Sequence, residues 1–251
     1  QDSSLAQRLR RETTAEVLFD EFSRGLYSTD ASIYQIKPLG VVVPKTEQDV
    51  LATLGIANDA GVSVTMRGGG TSQCGQTVGE GIIVDVSKHL NRLISVDPET
   101  RRAVVQPGIV LDQLNALLKP HGLFFPVDVS TSSRATIGGM TANNSAGARS
   151  IRYGMMVDNV LRVTGWLADG TPVSFGLEVP ADGVESELAS TLAALRRRED
   201  AELERRIPKV MRRVAGYNLD RISRDGAEMV RLLVGSEGTL AFFTELELQL
   251  A

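Results

Sequence analysis

The residue types that point most directly to chemistry lie in Arg67-Gly68-Gly69-Gly70-Thr71-Ser72-Gln73-Cys74-Gly75-Gln76. Three adjacent glycines remove every Cβ from a turn, so successive backbone N–H groups can converge on one point. An anion such as a phosphate is what such a nest holds. Thr71 and Ser72 add hydroxyl donors. Two better-known phosphate loops do not fit. Gly70 to Thr77 has Walker A spacing, but Gln76 stands where that loop needs a lysine to reach the β- and γ-phosphates. A Rossmann fingerprint needs a helix directly after its glycines, whereas the strand-like run Gly81 to Val86 follows here. A diphosphate held by bare amides remains, against the plainer alternative of a glycine-rich turn in a scaffold that binds nothing.

A second cluster runs from Ser130 through Thr131, Ser132, Ser133, Gly138-Gly139 and Asn143-Asn144-Ser145-Ala146 to Gly147. Its hydroxyls, amides and small residues suit a large flat ligand with polar edges. A third stretch, Gly235-Ser236-Glu237-Gly238-Thr239, reads by itself as a tight turn between two strands.

Composition excludes several classes. In 251 residues, 27 Lys and Arg face 31 Asp and Glu, so the net charge of −4 gives no electrostatic footprint of a nucleic-acid binder. No apolar run approaches ~18 residues, and Gln1 to Glu12 lack the apolar core of a secretory signal. Cys74 is the only cysteine, so no disulfide and no oxidising compartment is implied, and a cytoplasmic location is expected. Two histidines and one cysteine at wide spacing make no metal site. His121 reads as a helix end, His89 as a surface turn, Cys74 as space-filling and Trp166 as core packing. Arg196-Arg197-Arg198, Arg205-Arg206 and Arg212-Arg213 read as solvated faces.

The elements that must position these loops follow from pattern. Residues 1–30 read as an amphipathic helical lead-in carrying Leu5, Leu9, Val17, Leu18 and Phe22. Pro38 to Val43, a helix 46–60 opened by Thr46 and Asp49, and Val62 to Met66 read as a βαβ unit with parallel strands. Leu93–Val96 and Arg101–Val105 form one hairpin, and Val160–Leu167 with Thr171–Phe175 another around Ala168-Asp169-Gly170. Val110 to His121 is a helix with Leu111, Leu114, Leu117 and Leu118 on one face, ended by Gly122. Residues 184–206 read as a charged surface helix, Val230 to Val234 as a strand, and Ala241 to Leu250 as a strand with one buried face.

Taken together and in order, the three loops resemble the PCMH-type FAD-binding domain of the vanillyl-alcohol oxidase superfamily. The nearer likeness is to the FAD-linked oxidases that include D-lactate dehydrogenases, glycolate oxidase D subunits and D-2-hydroxyglutarate dehydrogenases. The motifs are Arg67-Gly-Gly-Gly-Thr-Ser, Thr136-Ile-Gly-Gly with Asn143 to Gly147, Arg152-Tyr153-Gly154, and Gly235-Ser-Glu-Gly-Thr-Leu240, and the likeness covers about residues 35–250. Thr29 to Tyr34 and Gly216-Tyr217-Asn218-Leu219-Asp220 resemble the long members fused to an iron–sulfur region.

The resemblance implies an α+β fold of two α+β subdomains with FAD between them. The lead-in would be 1–34, the first subdomain 35–105 and the second 106–251. It implies that Arg67, Gly68, Gly69, Gly70, Thr71, Ser72 and Gln73 wrap the pyrophosphate, with Gln76 close by. Pro126, Asp128, Ser130, Thr131 and Ser133 would line the ribityl and ring side, with Gly138, Gly139, Asn143, Asn144, Ser145 and Ala146 adding flavin contacts. Tyr153 and Gly154 would lie near the adenosine half or the loop supporting it, and Glu237, Gly238 and Thr239 would close the other wall. Thr71 stands where some members carry a flavin-linking histidine, so non-covalent FAD is implied.

The implied activity is hydride transfer from the Cα of a D-2-hydroxy acid to flavin N5. Electrons would then pass to an iron–sulfur region, a quinone or a carrier, which would allow peripheral association with the inner membrane. The family's substrate cap, with its metal motif, is expected to be absent from these residues, and no catalytic base is assigned. The alternative is non-redox group transfer, as in the ether-lipid synthase branch of the superfamily.

Overall fold

The structure is a computed structural model and describes residues 4–251. Glu16–Leu18 (β1), Gly40–Val43 (β2), Val64–Arg67 (β3) and Ile82–Asp85 (β4) form a four-stranded sheet in the order β1-β2-β4-β3. β2 and β3 both run parallel to β4, and β1 lies antiparallel on the β2 edge. All residues of β2 and β4 are buried, which explains their unbroken Val and Ile runs. The expected βαβ unit therefore forms, but β4 is inserted between its two strands.

Helices Ser4–Glu12 (α1) and Glu21–Leu26 (α2) flank β1. This corrects the helical lead-in. Val17 and Leu18 pair with β2 as strand residues, and Phe22 of α2 is exposed. β-branched Val17 on a sheet edge gains ladder bonds that a helix of this length could not match. Gln1 to Ser3, where the lead-in was expected to begin, lie outside the described residues.

Helix Glu47–Asp59 (α3) starts at the expected capping box. Asp49 N donates to Thr46 Oγ1 at 3.2 Å, and Thr46 N donates back to Asp49 Oδ2 at 3.0 Å. Asp49 also accepts from Thr14 N at 2.7 Å and Lys45 N at 2.9 Å. Burial pushes its carboxyl upward, but these donors outweigh it and hold the group below the ordinary aspartate value.

Leu93–Asp97 (β5), Arg102–Val105 (β6), Val160–Trp166 (β7), Pro172–Phe175 (β8) and Phe242–Gln249 (β9) form an antiparallel sheet in the order β5-β6-β9-β7-β8. Both expected hairpins are present, but the one at 93–105, expected in the first subdomain, joins this second sheet through β6 and β9. β9 keeps its expected alternation, with Leu246 and Leu248 buried and Glu245 and Glu247 half-buried. Helix Leu111–Leu118 (α4) buries Leu111, Leu114 and Leu118, while Leu117, expected on the same face, points outward. A tight turn Lys119–His121 extends it to Gly122, whose φ is +70°.

Val230–Leu233 is a helical turn rather than a strand. Four apolar residues fit a buried helix as well as a buried strand, and periodicity cannot separate them. The charged stretch folds as two helices, Gly183–Arg198 and Asp200–Arg206.

Each sheet has its own core. Leu9, Val42, Val50, Ile82 and Val84 pack in the first, and Val105, Leu114, Ile137, Met156 and Leu246 in the second. β9 contributes to both, because Phe242 packs into the first core and its neighbour Phe243 into the second. Trp166 stacks on Phe242 with ring centroids 5.8 Å apart. Burying one such ring is worth about 1.5–3 kcal/mol, so this pair is a substantial share of the seam between sheets.

Candidate functional site

Arg67 ends β3, and its side chain turns back toward the N-terminal segment. Its guanidinium donates to the carbonyls of Thr29 at 2.9 Å, Thr77 at 3.3 Å and Tyr27 at 3.5 Å, and lies 5.2 Å from the centre of the Tyr27 ring. Tyr27 in turn donates its hydroxyl to Asp85 Oδ2 at 2.7 Å; burial first, then this carboxylate, push its phenol well above the ordinary value. Asp30 accepts from the Thr77 hydroxyl at 3.0 Å, and Ala31 N donates to Gly70 O at 3.2 Å. Both ends of the glycine loop are therefore tied to residues 27–31 by side chains and carbonyls, which leaves its N–H groups uncommitted.

From Gly68 to Thr77 no backbone N–H donates to another group among the described residues. Gly69, Gln73 and Cys74 are exposed and the rest of the loop is half-buried, so this run of donors faces solvent or the cleft and is free to meet an anion. The glycines are required by contact. A Cβ at Gly69 would overlap the Arg134 carbonyl, and Gly70 has φ +64° with the Arg67 guanidinium beside it.

The loop borders a two-chambered cleft, with Gly68, Ser72, Gln76 and Thr77 at its waist and Gly69, Gly70, Thr71, Gln73 and Cys74 on the larger chamber alone. The smaller chamber, about 670 Å³, has Met66, Val86, Pro107, Phe242 and Phe243 as apolar walls. The larger, about 1310 Å³, is walled by Ser130, Thr131, Ser145, Ala146, Arg212 and Val214. Gly68, Ser72, Gln76, Thr77, Thr136, Gly139 and Asn143 line both. A diphosphate with a flat group at each end matches this order of free amides, small apolar chamber and large polar chamber.

Helix Ile137–Ala142 (α5) begins at Thr136, whose Oγ1 accepts from Gly139 N at 3.3 Å. Its first amides are already used, by Ile109 O and Pro107 O, so α5 supplies shape rather than an N-terminal anion site. Its C-terminal carbonyls hold the third loop. Gly235 N donates to Thr141 O and Glu237 N to Ala142 O, both at 2.9 Å. That loop joins the helical turn 230–233 to β9, a correction to the turn expected between two strands. Glu237 is left-handed, with φ +52°, and its carboxylate accepts from Gln76 Nε2 at 3.3 Å. Gln76 Oε1 is buried with no partner.

The cleft gathers Arg67 to Gln73, Gln76, Ser130, Thr131, Gly138, Gly139, Asn143, Ser145, Ala146, Glu237 and Gly238. Pro126, Asp128, Ser133, Asn144, Tyr153, Gly154 and Thr239 line neither chamber. Asn144 is fully buried with φ +49°; its Oδ1 accepts from Val157 N at 3.0 Å and its Nδ2 donates to Arg213 O at 3.5 Å. Asp128 accepts from Arg149 N at 2.8 Å. Tyr153 packs edge-on against Phe124, and Thr239 pairs with the Tyr217 hydroxyl at 2.7 Å. Ser133 faces a pocket behind the glycine loop, beside Tyr27 and Asp85.

Pattern reading missed the apolar walls, which look like ordinary core, and it missed Arg212. Arg196, Arg198, Arg205 and Arg206 pair with Asp200, Glu199 and Glu202, as a solvated face should. Arg213 pairs with Asp220, but Arg212 donates to Gly147 O at 2.6 Å and borders the larger chamber. Among the described residues, no group of three or more His, Cys, Asp or Glu could hold a metal ion, and no helix is long and apolar enough to cross a membrane.

Comparison with known proteins agrees with this geometry. Residues 38–176 match the family described as FAD binding domain. D-2-hydroxyglutarate dehydrogenase of Pantoea ananatis is 39% identical over 241 residues, which cover 89% of this chain and 23% of that protein. Glycolate oxidase subunit GlcD of Bacillus subtilis is 33% identical over 90% of this chain and 40% of its own length. The chain thus spans about a quarter of the first relative and two fifths of the second. Among solved structures, alkyldihydroxyacetonephosphate synthase superimposes on all of this chain and 40% of its own with a TM-score of 0.71 at 18% identity, a likeness of fold.

Proposed function

The chain belongs to the family of FAD binding domains and takes FAD as its cofactor, and on that premise we propose that it is the cofactor-holding part of a dehydrogenase that oxidises a D-2-hydroxy acid. The observation that carries the reading is the run of uncommitted amides from Gly68 to Thr77 that borders the cleft. Bound FAD supplies flavin N5 as acceptor for the hydride leaving the hydroxy-acid Cα.

The chain's own residues bind and orient. The Gly68–Thr77 amides take the diphosphate without a lysine, and Thr71, at the place of a flavin-linking histidine, favours non-covalent binding. The smaller apolar chamber suits adenine, with Gln76 and Glu237 at its polar rim. The larger chamber, twice the volume, suits the ribityl chain and the three-ring flavin, with hydroxyls from Ser130, Thr131 and Ser145 at its edges. Phe242 and Phe243 exclude water from the adenine end. The base that takes the substrate's hydroxyl proton is assigned to no residue of this chain. Relatives at 33–39% identity are named as a dehydrogenase and an oxidase subunit, which favours redox chemistry over group transfer. An iron–sulfur region as electron acceptor remains part of the proposal.

The test is to titrate FAD into the chain and follow quenching of Trp166, the sole tryptophan, together with the visible flavin band. Saturable uptake at micromolar FAD or tighter, about −8 kcal/mol, supports the reading, and a flat titration ends it. The substrate class is tested on the full-length polypeptide by adding D-2-hydroxyglutarate, D-lactate or glycolate and recording bleaching of that band.

A further inference from the structure

We infer that Arg212 is the cationic partner of the flavin ring edge in the larger chamber, and that it makes the bound coenzyme easier to reduce. This deepens the FAD reading and rests on it. Arg212 is the only charged side chain among the described residues lining that chamber. The remaining wall is glycine, hydroxyl, amide, thiol and apolar groups. Arg212 also does not line the smaller chamber, as the residues of the shared waist do. Its anchor on Gly147 O sets it beside Ser145 and Ala146, the wall read as the flavin side, and apart from the Gly68–Thr77 loop read as the diphosphate side.

The guanidinium is available. One nitrogen, Nη2, donates to Gly147 O at 2.6 Å and fixes the head against the 143–147 loop. No carboxylate of the described residues pairs with it, whereas neighbouring Arg213 pairs with Asp220 and Arg221 with Asp158. Asp128, the acid nearest to Gly147 in the fold, is engaged by Arg149. Arg212 thus brings an unneutralised positive charge to a chamber whose other donors are neutral.

The consequence is electrostatic. A hydride is two electrons and one proton; once it reaches N5 it leaves one added negative charge on the ring system. A fixed cation at the ring edge favours that form over the neutral oxidised one. The Gly68–Thr77 amides, free of protein partners, are proposed to take the diphosphate, so Arg212 should contribute little to binding of oxidised FAD.

The experiment compares wild type, Arg212→Met and Arg212→Lys, each loaded with FAD. It measures the dissociation constant by Trp166 quenching and the two-electron midpoint potential by equilibration with reference dyes. Arg212→Met should lower the affinity for reduced relative to oxidised flavin about tenfold, a fall of about 30 mV in potential. Its affinity for oxidised FAD should stay within about threefold of wild type, and Arg212→Lys should restore most of the potential. An unchanged potential in Arg212→Met overturns the inference. So does a loss of FAD affinity of about 100-fold with riboflavin binding unaffected, which would place the guanidinium on the diphosphate. Failure of wild type to take up FAD at all would instead sink the underlying reading. Arg212 is exposed and makes one hydrogen bond, to Gly147 O, so both variants should fold, and melting curves check this before either is interpreted.

Discussion

Gln76 and Glu237, 161 positions apart, meet across the cleft, where the Gln76 amide donates to the Glu237 carboxylate at 3.3 Å. This bond links the glycine loop of the first sheet to the loop that leads into β9 of the second. Glu237→Ala removes the acceptor and frees Gln76. FAD affinity should fall about tenfold, or ~1.4 kcal/mol, because one charge-assisted contact that orients the waist is lost. The melting temperature should barely move, since the left-handed backbone at Glu237 is not relieved by alanine and its side chain is exposed. Titration by Trp166 quenching checks this, and an unaltered dissociation constant would remove the bridge from the site.

Gly69→Asp adds both a side chain and a negative charge where the Arg134 carbonyl already touches the backbone. FAD affinity should drop by roughly 3 kcal/mol or more, from repulsion and displaced amides together. Gly69→Ala separates the two causes by keeping the overlap without the charge. Wild-type binding by the aspartate variant would show that this loop does not hold the diphosphate.

Arg67 should prove structural in a way its position in the motif conceals. Its fork serves three carbonyls and the face of Tyr27, a geometry one ammonium cannot reproduce. Arg67→Lys should cost about 2 kcal/mol in denaturant unfolding and should weaken FAD binding as well. Equal stability of the two proteins would contradict the stapling role.

Asp49 predicts a pH dependence. Its carboxyl is held below the ordinary aspartate value in the folded chain, so the unfolded chain binds the proton more readily. The stability it contributes is present above the unfolded value of about 3.9 and is lost as pH falls through the folded value. At neutral pH, Asp49→Asn should be less stable by about 1–2 kcal/mol, from the weakened cap and the bonds to Thr14 and Lys45. Urea melts should show the two proteins converging below about pH 4. A constant gap at every pH would assign the effect to packing instead.

Local signals were legible where one residue type has one physical use. The Thr46–Asp49 box, the hairpins 93–105 and 160–175 and the alternation of β9 all act over a few positions, and each folds as the pattern requires. Readings failed where tertiary contact decides. Val17 becomes a strand only because β2 offers an edge, and Val230 to Leu233 turns helical under the same hydrophobicity that permits a strand. Asn144 sits inside a binding motif yet spends its amide on Val157 and Arg213, and Arg212 resembles its ion-paired neighbours until the fold delivers it to Gly147. Side-chain direction at such positions depends on partners more than 50 residues away for Arg212 and Asn144, which no window of sequence contains.

Because Phe242 and Phe243 are rooted in different cores, the last strand acts as a rivet through both halves of the molecule. During synthesis, the opening 90 or so residues can collapse and twist their sheet, but one aromatic plug of that layer emerges only some 150 residues later. Pinned this way, the two halves resist swinging apart, since that would tear adjacent side chains out of two interiors at once.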